Sequence, residues 1–264
     1  MSESWHGFDG SRPVVLVTGG AKRVGRAICE TFARSGVDVL LTHLTSDEEA
    51  RTCAGTLRAL GVDARTTRLD LDDLAAVSAF AQEAAVRLPR LDALIHNASI
   101  YGPSSPEETV EHGERHYRVN ALAPLVLSMG LRAPLSRGSL GGKAGDFGGG
   151  GAIVAMADMH AMGRPRKGFA PYTMSKAALV EMVRTLARDL APSVRVNGVA
   201  PGVALFPDEG YESDEATQRA YVARVPLGRA GTPEEAAEVV RWLAMDAGYV
   251  TGEVIRVDGG RWLA

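Results

Sequence analysis

Short apolar runs alternate with stretches of helical periodicity along most of the chain. Residues 13–17 are apolar and end in a glycine-rich turn, which predicts a strand buried on both faces. The spacing of Val24, Ala27, Ile28 and Phe32 predicts a helix over 23–35, stopped by Gly36. A second apolar run covers 37–42. Ser46, Asp47, Glu48 and Glu49 form a capping-box signature that opens a helix reaching Leu60, with Gly61 beyond it. A weaker strand over 65–69 precedes an alanine-rich helix over 72–88 that Pro89 ends. A third strong run covers 91–96. Then come a helix over 107–131 kinked at Pro124, a strand over 152–157, a long helix over 171–190 and a strand over 194–199. A helix over 233–245 and a strand over 253–257 complete the series. This alternation predicts an α/β chain with a parallel sheet and helices on both faces. Three segments interrupt it: 137–151, with eight of the 30 glycines; the basic stretch 158–170; and 202–227, with a short helix near 214–224. In a doubly wound sheet ligands bind beyond the C-terminal ends of the strands, so the last two segments are expected to border the site.

Composition narrows the function. A net charge of −3 offers no footprint for nucleic acid or for an anionic membrane surface. No apolar run is long enough to span a membrane and the N-terminus has no signal-peptide core. The two cysteines, Cys29 and Cys53, fall in predicted helices, which excludes a disulfide framework and points to a reducing, cytoplasmic setting. The six histidines and two cysteines do not cluster in the sequence, so no metal is expected. Of the 29 basic residues only Lys22, Lys143, Lys167 and Lys176 are lysine. The 264 residues are read as a polar tail, 1–12, and one domain, 13–264.

The turn after the first strand reads Thr18-Gly19-Gly20-Ala21-Lys22-Arg23-Val24-Gly25. Glycines there let the backbone approach a pyrophosphate, and the helix N-terminus supplies N–H donors. The spacing fits T-G-x-x-x-G-x-G with Arg23 in place of the middle glycine. NAD enzymes place a carboxylate about 20 residues on, against the ribose 2′-hydroxyl. Here Thr42, His43, Thr45 and Ser46 stand instead, with Lys22 and Arg23 nearby, which predicts NADP(H). His43 reads equally as a surface histidine. Asp70, with Leu71, follows the third strand and is placed to accept from the adenine amino group or to cap the next helix.

Tyr172 and Lys176 lie at i and i+4 on one helical face. An ammonium beside a phenol lowers the phenol's pKa, which suits proton transfer near neutral pH. The ordered set Thr18-Gly19-x-x-x-Arg23-x-Gly25, Asn97-Ala98-Ser99, Asn120, Tyr172-x-x-x-Lys176 and Val196-Asn197-Gly198-Val199-Ala200-Pro201-Gly202 resembles the short-chain dehydrogenase/reductase family over nearly the whole chain. That resemblance implies a single-domain, doubly wound Rossmann fold with a seven-stranded parallel sheet. Within the family the chain is most similar to pteridine reductases. The carriers are the Lys22-Arg23 turn, Tyr101 after Asn97-Ala98-Ser99-Ile100, Asp158 where most members have serine, and Pro201-Gly202-Val203-Ala204-Leu205-Phe206-Pro207.

The resemblance implies NADPH-dependent reduction of a pterin or folate-like small molecule. Tyr172 would be the proton donor, Lys176 would position the nicotinamide ribose, and Asp158 would share in proton delivery. Asn120 would hold a helix bend and a water leading to Lys176. Gly19, Lys22, Arg23, Val24, Thr42, His43, Thr45, Ser46, Asp70, Leu71, Asn97, Ala98, Ser99, Pro201 and Gly202 would join Tyr172 and Lys176 around the cofactor. Arg23, Ser99, Tyr101, Asp158, Tyr172 and Phe206 would meet the substrate, and the assembly would be a homotetramer. The sequence departs from the pattern at His96, where asparagine is common. It also departs in having Asp158 14 residues before Tyr172, one more than usual; without a compensating insertion Asp158 is a strand-end cap. The alternative is a carbonyl reductase of the same family acting on a ketone or 3-oxoacyl group. There Tyr172 and Lys176 serve equally, but a serine normally polarises the carbonyl.

Overall fold

The computed structural model describes residues 7–104, 110–140, 150–207 and 212–264. Its sheet has seven strands, β1 (Val14–Val17), β2 (Asp38–His43), β3 (Ala64–Arg68), β4 (Ala93–His96), β5 (Gly151–Met156), β6 (Val194–Pro201) and β7 (Val254–Val257). All pairings are parallel, in the order β3-β2-β1-β4-β5-β6-β7. The helices are α1 (Arg23–Arg34), α2 (Asp47–Ala59), α3 (Leu74–Arg87), α4 (Val110–Tyr117), α5 (Ala123–Gly130), α6 (Arg132–Ser136), α7 (Ala170–Asp189), α8 (Glu215–Val222) and α9 (Pro233–Met245).

Alternate side chains of β1 feed two cores, as a strand's period of two requires. Val15 and Val17 pack with α1, α2 and α9, including Ile28, Phe32, Leu57 and Val240. Val14 and Leu16 pack with α3, α5 and α7, including Phe80, Leu127, Val183 and Leu186. Being covered on both faces, these strands carry continuous apolar runs. This is the doubly wound arrangement, and the chain reverses direction of winding between β1 and β4.

Local structure departs from the sequence pattern in four places. The break expected at Pro124 lies just before it, since Pro124, second residue of α5, has no N–H to donate to the Asn120 carbonyl four residues back. The break is a π-helical turn, Arg118–Leu122, with Asn120 at its centre. The box at Ser46 does not form. Ser46 makes no side-chain cap bond, and Glu49 instead meets Lys22 Nζ at 2.5 Å. A complete box closes α9, where Thr232 Oγ1 accepts from Glu235 N and the Glu235 carboxylate accepts from Thr232 N. In the expected N-terminal tail, Phe8 is buried in the second core with the Arg65 guanidinium 5.0 Å from its ring centroid; residues 1–6 lie outside the described residues. Most of the glycine-rich stretch 137–151 and the first residues of the helix expected from 107 also lie outside them, while Gly151 itself begins β5.

Candidate active site

The crevice opens where β1 lies between β2 and β4, at their C-terminal ends. Gly19 takes φ 65° and Arg23 takes φ 51°. The second value explains the glycine common at that position: the turn needs a left-handed residue, and here an arginine supplies it. A Cβ on Gly25 would collide with the Gly19 carbonyl and the Asn97 side chain. Thr18 Oγ1 accepts from the backbone N–H groups of Asn97 and Ala98 at 3.0 and 3.1 Å, and Asn97 Nδ2 donates to the carbonyls of Thr18 and Gly19 at 3.0 Å each. The two loops that frame the crevice are therefore locked together. No side chain caps the first turn of α1, so its N–H groups are left to an anion.

Gly19, Thr42, His43, Asp70, Leu71, Ala98 and Ser99 line a cavity of about 160 Å³. Ser99 also lines a neighbouring cavity of about 320 Å³, together with Arg23, Val24, Asn97, Tyr172, Lys176, Pro201 and Gly202. This donor set, an open helix N-terminus between an acceptor carboxylate and a buried ammonium, fits a nicotinamide dinucleotide laid across the strand ends. Lys22, Thr45 and Ser46, expected at the cofactor, line neither cavity. Lys22 is engaged with Glu49. His43 is buried rather than at the surface, and burial lowers its pKa against the opposing charge of Asp47, whose Oδ1 is 3.8 Å from Nδ1. The cap of α3 is Asp73, which accepts from Ala75 N and Ala76 N at 3.0 Å. Asp70 is thereby left on the cavity wall, with Oδ1 accepting from Asp72 N at 2.9 Å.

In the larger cavity the Tyr172 hydroxyl donates to Asp158 Oδ2 at 2.7 Å. The other oxygen of Asp158 accepts from His160 N at 2.7 Å and caps the 3-10 turn Met159–Met162. Asp158 is thus both strand-end cap and partner of Tyr172, and the turn, closed by Gly163 at φ 108°, absorbs the 14-residue spacing. Lys176 Nζ donates to Met156 O at 2.7 Å. The expectation that Lys176 lowers the Tyr172 pKa is not met. Burial raises it well above the ordinary phenol value, and the Asp158 charge raises it further, so the hydroxyl is a neutral donor. Burial lowers Lys176 to about 8, with Asp158 opposing.

Asn120 holds the helix bend. Its Oδ1 accepts from Ile100 N at 3.0 Å, and its Nδ2 donates to Ile100 O and Ser175 Oγ, each at 3.0 Å. Ser175 Oγ in turn donates to Tyr172 O at 2.7 Å, so the bend supports the turn that carries Tyr172 and Lys176. Tyr101 forms a wall. Its ring lies edge-on to Tyr172 at 4.9 Å between centroids and tilted against Phe169 at 5.3 Å. Phe206 does not face the cavity. Its ring packs edge-on against Tyr221 of α8 at 5.8 Å. Arg23 Nη2 donates to Leu205 O at 2.9 Å and joins the cofactor turn to the segment after β6.

Four further lining residues were not among the expected site residues, although they fall in the two segments, 158–170 and 202–227, expected to border the site. His160 follows Asp158, Tyr221 Oη accepts from Val203 N at 3.0 Å, and Arg166 pairs with Glu212. Tyr221 lies on α8, His160 in the turn at Met159–Met162, and Arg166 and Glu212 in irregular stretches; that turn and the fold of the segment after β6 bring them inward.

A family profile described as enoyl-(acyl carrier protein) reductase matches residues 19–261. Pteridine reductase 1 of Leishmania tarentolae is 32% identical over 286 residues, covering 94% of this chain and 96% of that protein. The 3-oxoacyl-(acyl-carrier-protein) reductase of Aquifex aeolicus is also 32% identical, over 252 residues, with the same coverages. A blue fluorescent protein from a metagenomic library, solved in complex with NADPH, superposes with a TM-score of 0.81 at 32% identity over 94% of this chain and 97% of that one. With the strand order, the glycine turn and the Tyr172–Lys176 pair in place, these matches identify the chain as a member of the short-chain dehydrogenase/reductase family, an NAD(P)(H)-dependent oxidoreductase.

Proposed function

We propose that this protein is an NADPH-dependent pterin reductase, acting on a biopterin-like, dihydropterin or dihydrofolate ring. The observation that carries the reading is the 2.7 Å hydrogen bond from Tyr172 to Asp158. Reducing a ring C=N needs a proton on nitrogen while reduced nicotinamide supplies hydride to carbon. Tyr172, neutral through burial, donates its phenolic proton to the ring nitrogen. Asp158 orients that hydroxyl, and a proton taken up from solvent and relayed over its carboxylate restores the phenol. The buried Lys176, tied to Met156 O at the end of β5, would hold the nicotinamide ribose beside Tyr172. Tyr101 and the apolar wall of Met159 and Val203 suit a planar ring, with Ser99 and Arg23 at its polar edge. The similarity to the Leishmania pteridine reductase supports the same reading.

NADPH is favoured over NADH because no carboxylate ends β2 or precedes Asp47 in α2: Thr42 and His43, whose pKa burial lowers, line the cavity there. Comparable kcat/KM for the two cofactors would overturn that preference. We read the assembly as a homotetramer of copies in the cytoplasm, supported by the apolar surface of Leu125 and Met129 on α5 and Met174 on α7. Among the described residues no helix is long and apolar enough to cross a membrane. A monomeric mass by light scattering would contradict the tetramer.

A second reading, a ketone or 3-oxoacyl reductase, is favoured by the similarity to the Aquifex enzyme. Asp158→Ser separates the two. The pterin reading predicts loss of pterin turnover and a gain with ketones, where the serine hydroxyl polarises the carbonyl. Unchanged activity on both would make Asp158 only a cap.

A further inference from the structure

Three loops meet over the far end of the larger cavity, and a closed ring of polar bonds joins them. Arg166, between β5 and α7, donates from Nη2 to Glu212 Oε1 at 2.6 Å and from Nη1 to the Tyr101 hydroxyl at 2.5 Å. Tyr101, after β4, donates to Glu212 Oε2 at 3.1 Å. Glu212, ahead of α8, has a side chain only 7% exposed, against 20% for Arg166. The guanidinium lies 4.2 Å from the Phe169 ring centroid. Glu212 takes φ 74°, a conformation that costs a non-glycine residue energy and persists where the surroundings hold it. Arg166 and Glu212 both line the cavity, yet neither bonds to Tyr172, Asp158 or Lys176 through the contacts described above.

We propose that Arg166 and Glu212 are a specificity-determining pair that fixes the net charge this end of the pocket presents to a substrate. Paired, the two charges cancel at the distance of a bound molecule. The pocket then takes an uncharged ring and gives no attraction to the same ring bearing a carboxylate. Removing the Glu212 charge leaves a guanidinium facing the cavity, which recruits an anion. Removing the Arg166 charge leaves a carboxylate there, which repels one. In a partly desolvated site a unit charge a few ångströms away changes affinity by about tenfold. This inference rests on the cavity being the substrate pocket of the proposed function.

The test is the ratio of kcat/KM for a carboxylate-bearing substrate over a neutral one with the same reacting group, for example 6-carboxy- and 6-hydroxymethyl-7,8-dihydropterin. Glu212→Gln is expected to raise the ratio about tenfold and Arg166→Met to lower it about tenfold. The double variant should return it to within about twofold of wild type, and Arg166→Lys, which keeps the charge but not the fork geometry, should leave it there. Damage to the wall alone would move the two single variants in the same direction. That result, or no movement in either, overturns the proposal. If wild type reduces only ketones, the pterin reading fails and the same ratio is read on a 3-oxo acid and its methyl ester. Turnover of neither pair removes the cavity's assignment and the proposal with it.

Discussion

At the scale of single residues, the chemistry rests on how burial and charge divide between Tyr172, Asp158 and Lys176. Tyr172 is held protonated by burial and by the carboxylate it bonds, so it begins the reaction as a donor. Tyr172→Phe keeps the ring against Tyr101 and loses only the proton. It is expected to cut kcat by about 10²–10⁴-fold with the NADPH dissociation constant within about twofold, measured by stopped-flow reduction and by fluorescence titration. Near-full turnover would remove Tyr172 from the mechanism.

Lys176 carries a stability signature. Its pKa falls from an ordinary 10.5 to about 8 on burial. Between those values the unfolded chain holds a proton that the folded chain has released, so stability rises with pH across the window. Below about 8 both states hold it, and the cost of the buried charge stays constant at about 3 kcal/mol. The unfolding free energy of wild type relative to Lys176→Met should therefore climb by about that amount from pH 8 to 10.5, in denaturant titrations. A flat difference would contradict the assignment. The identities of this triad were legible because Tyr172 and Lys176 share a helical face and Asp158 ends a strand. Their titration was not, since it depends on a solvent exclusion that spacing does not reveal.

Among the elements, similar sequence signatures behave differently at two helix starts. Ser46 and Glu49 carry the pattern without the box, because Ser46 is not extended and Glu49 is drawn to Lys22. Thr232 is extended, at φ −122° and ψ 158°, and its box closes. Thr232→Ala should cost about 1 kcal/mol, seen as a fall of about 2–4 °C in Tm, whereas Ser46→Ala should change Tm by less than about 1 °C. Equal losses at both positions would contradict this distinction. The bend between α4 and α5 was half legible. Pro124 marks it by withholding an N–H from the preceding turn, and Ile100 and Ser175 hold Asn120 at its centre. Strand and helix order were readable from periodicity; caps and the anchoring of the bend were decided by partners distant in sequence.

Across the described residues, one sheet gathers the functional groups at the C-terminal ends of its strands. The segments after β4, β5 and β6 must supply specificity, as Tyr101, Arg166 and Glu212 do by closing over the cavity. The cofactor half of the groove was legible because its glycine turn and Asn97 are set by the backbone path between adjacent strands. The substrate half was legible at Arg23, Ser99, Tyr101, Asp158 and Tyr172, which all line the larger cavity. Phe206 turned toward Tyr221 and Glu212 turned inward for reasons of loop packing that leave no periodic trace. Specificity therefore rests on these three segments. Steady-state oxidation of NADPH with 7,8-dihydrobiopterin, dihydrofolate and a panel of ketones tests it most directly. The account predicts turnover of the pterins that a folate-type antagonist blocks, with kcat/KM well above that for any ketone; turnover of ketones alone would contradict it.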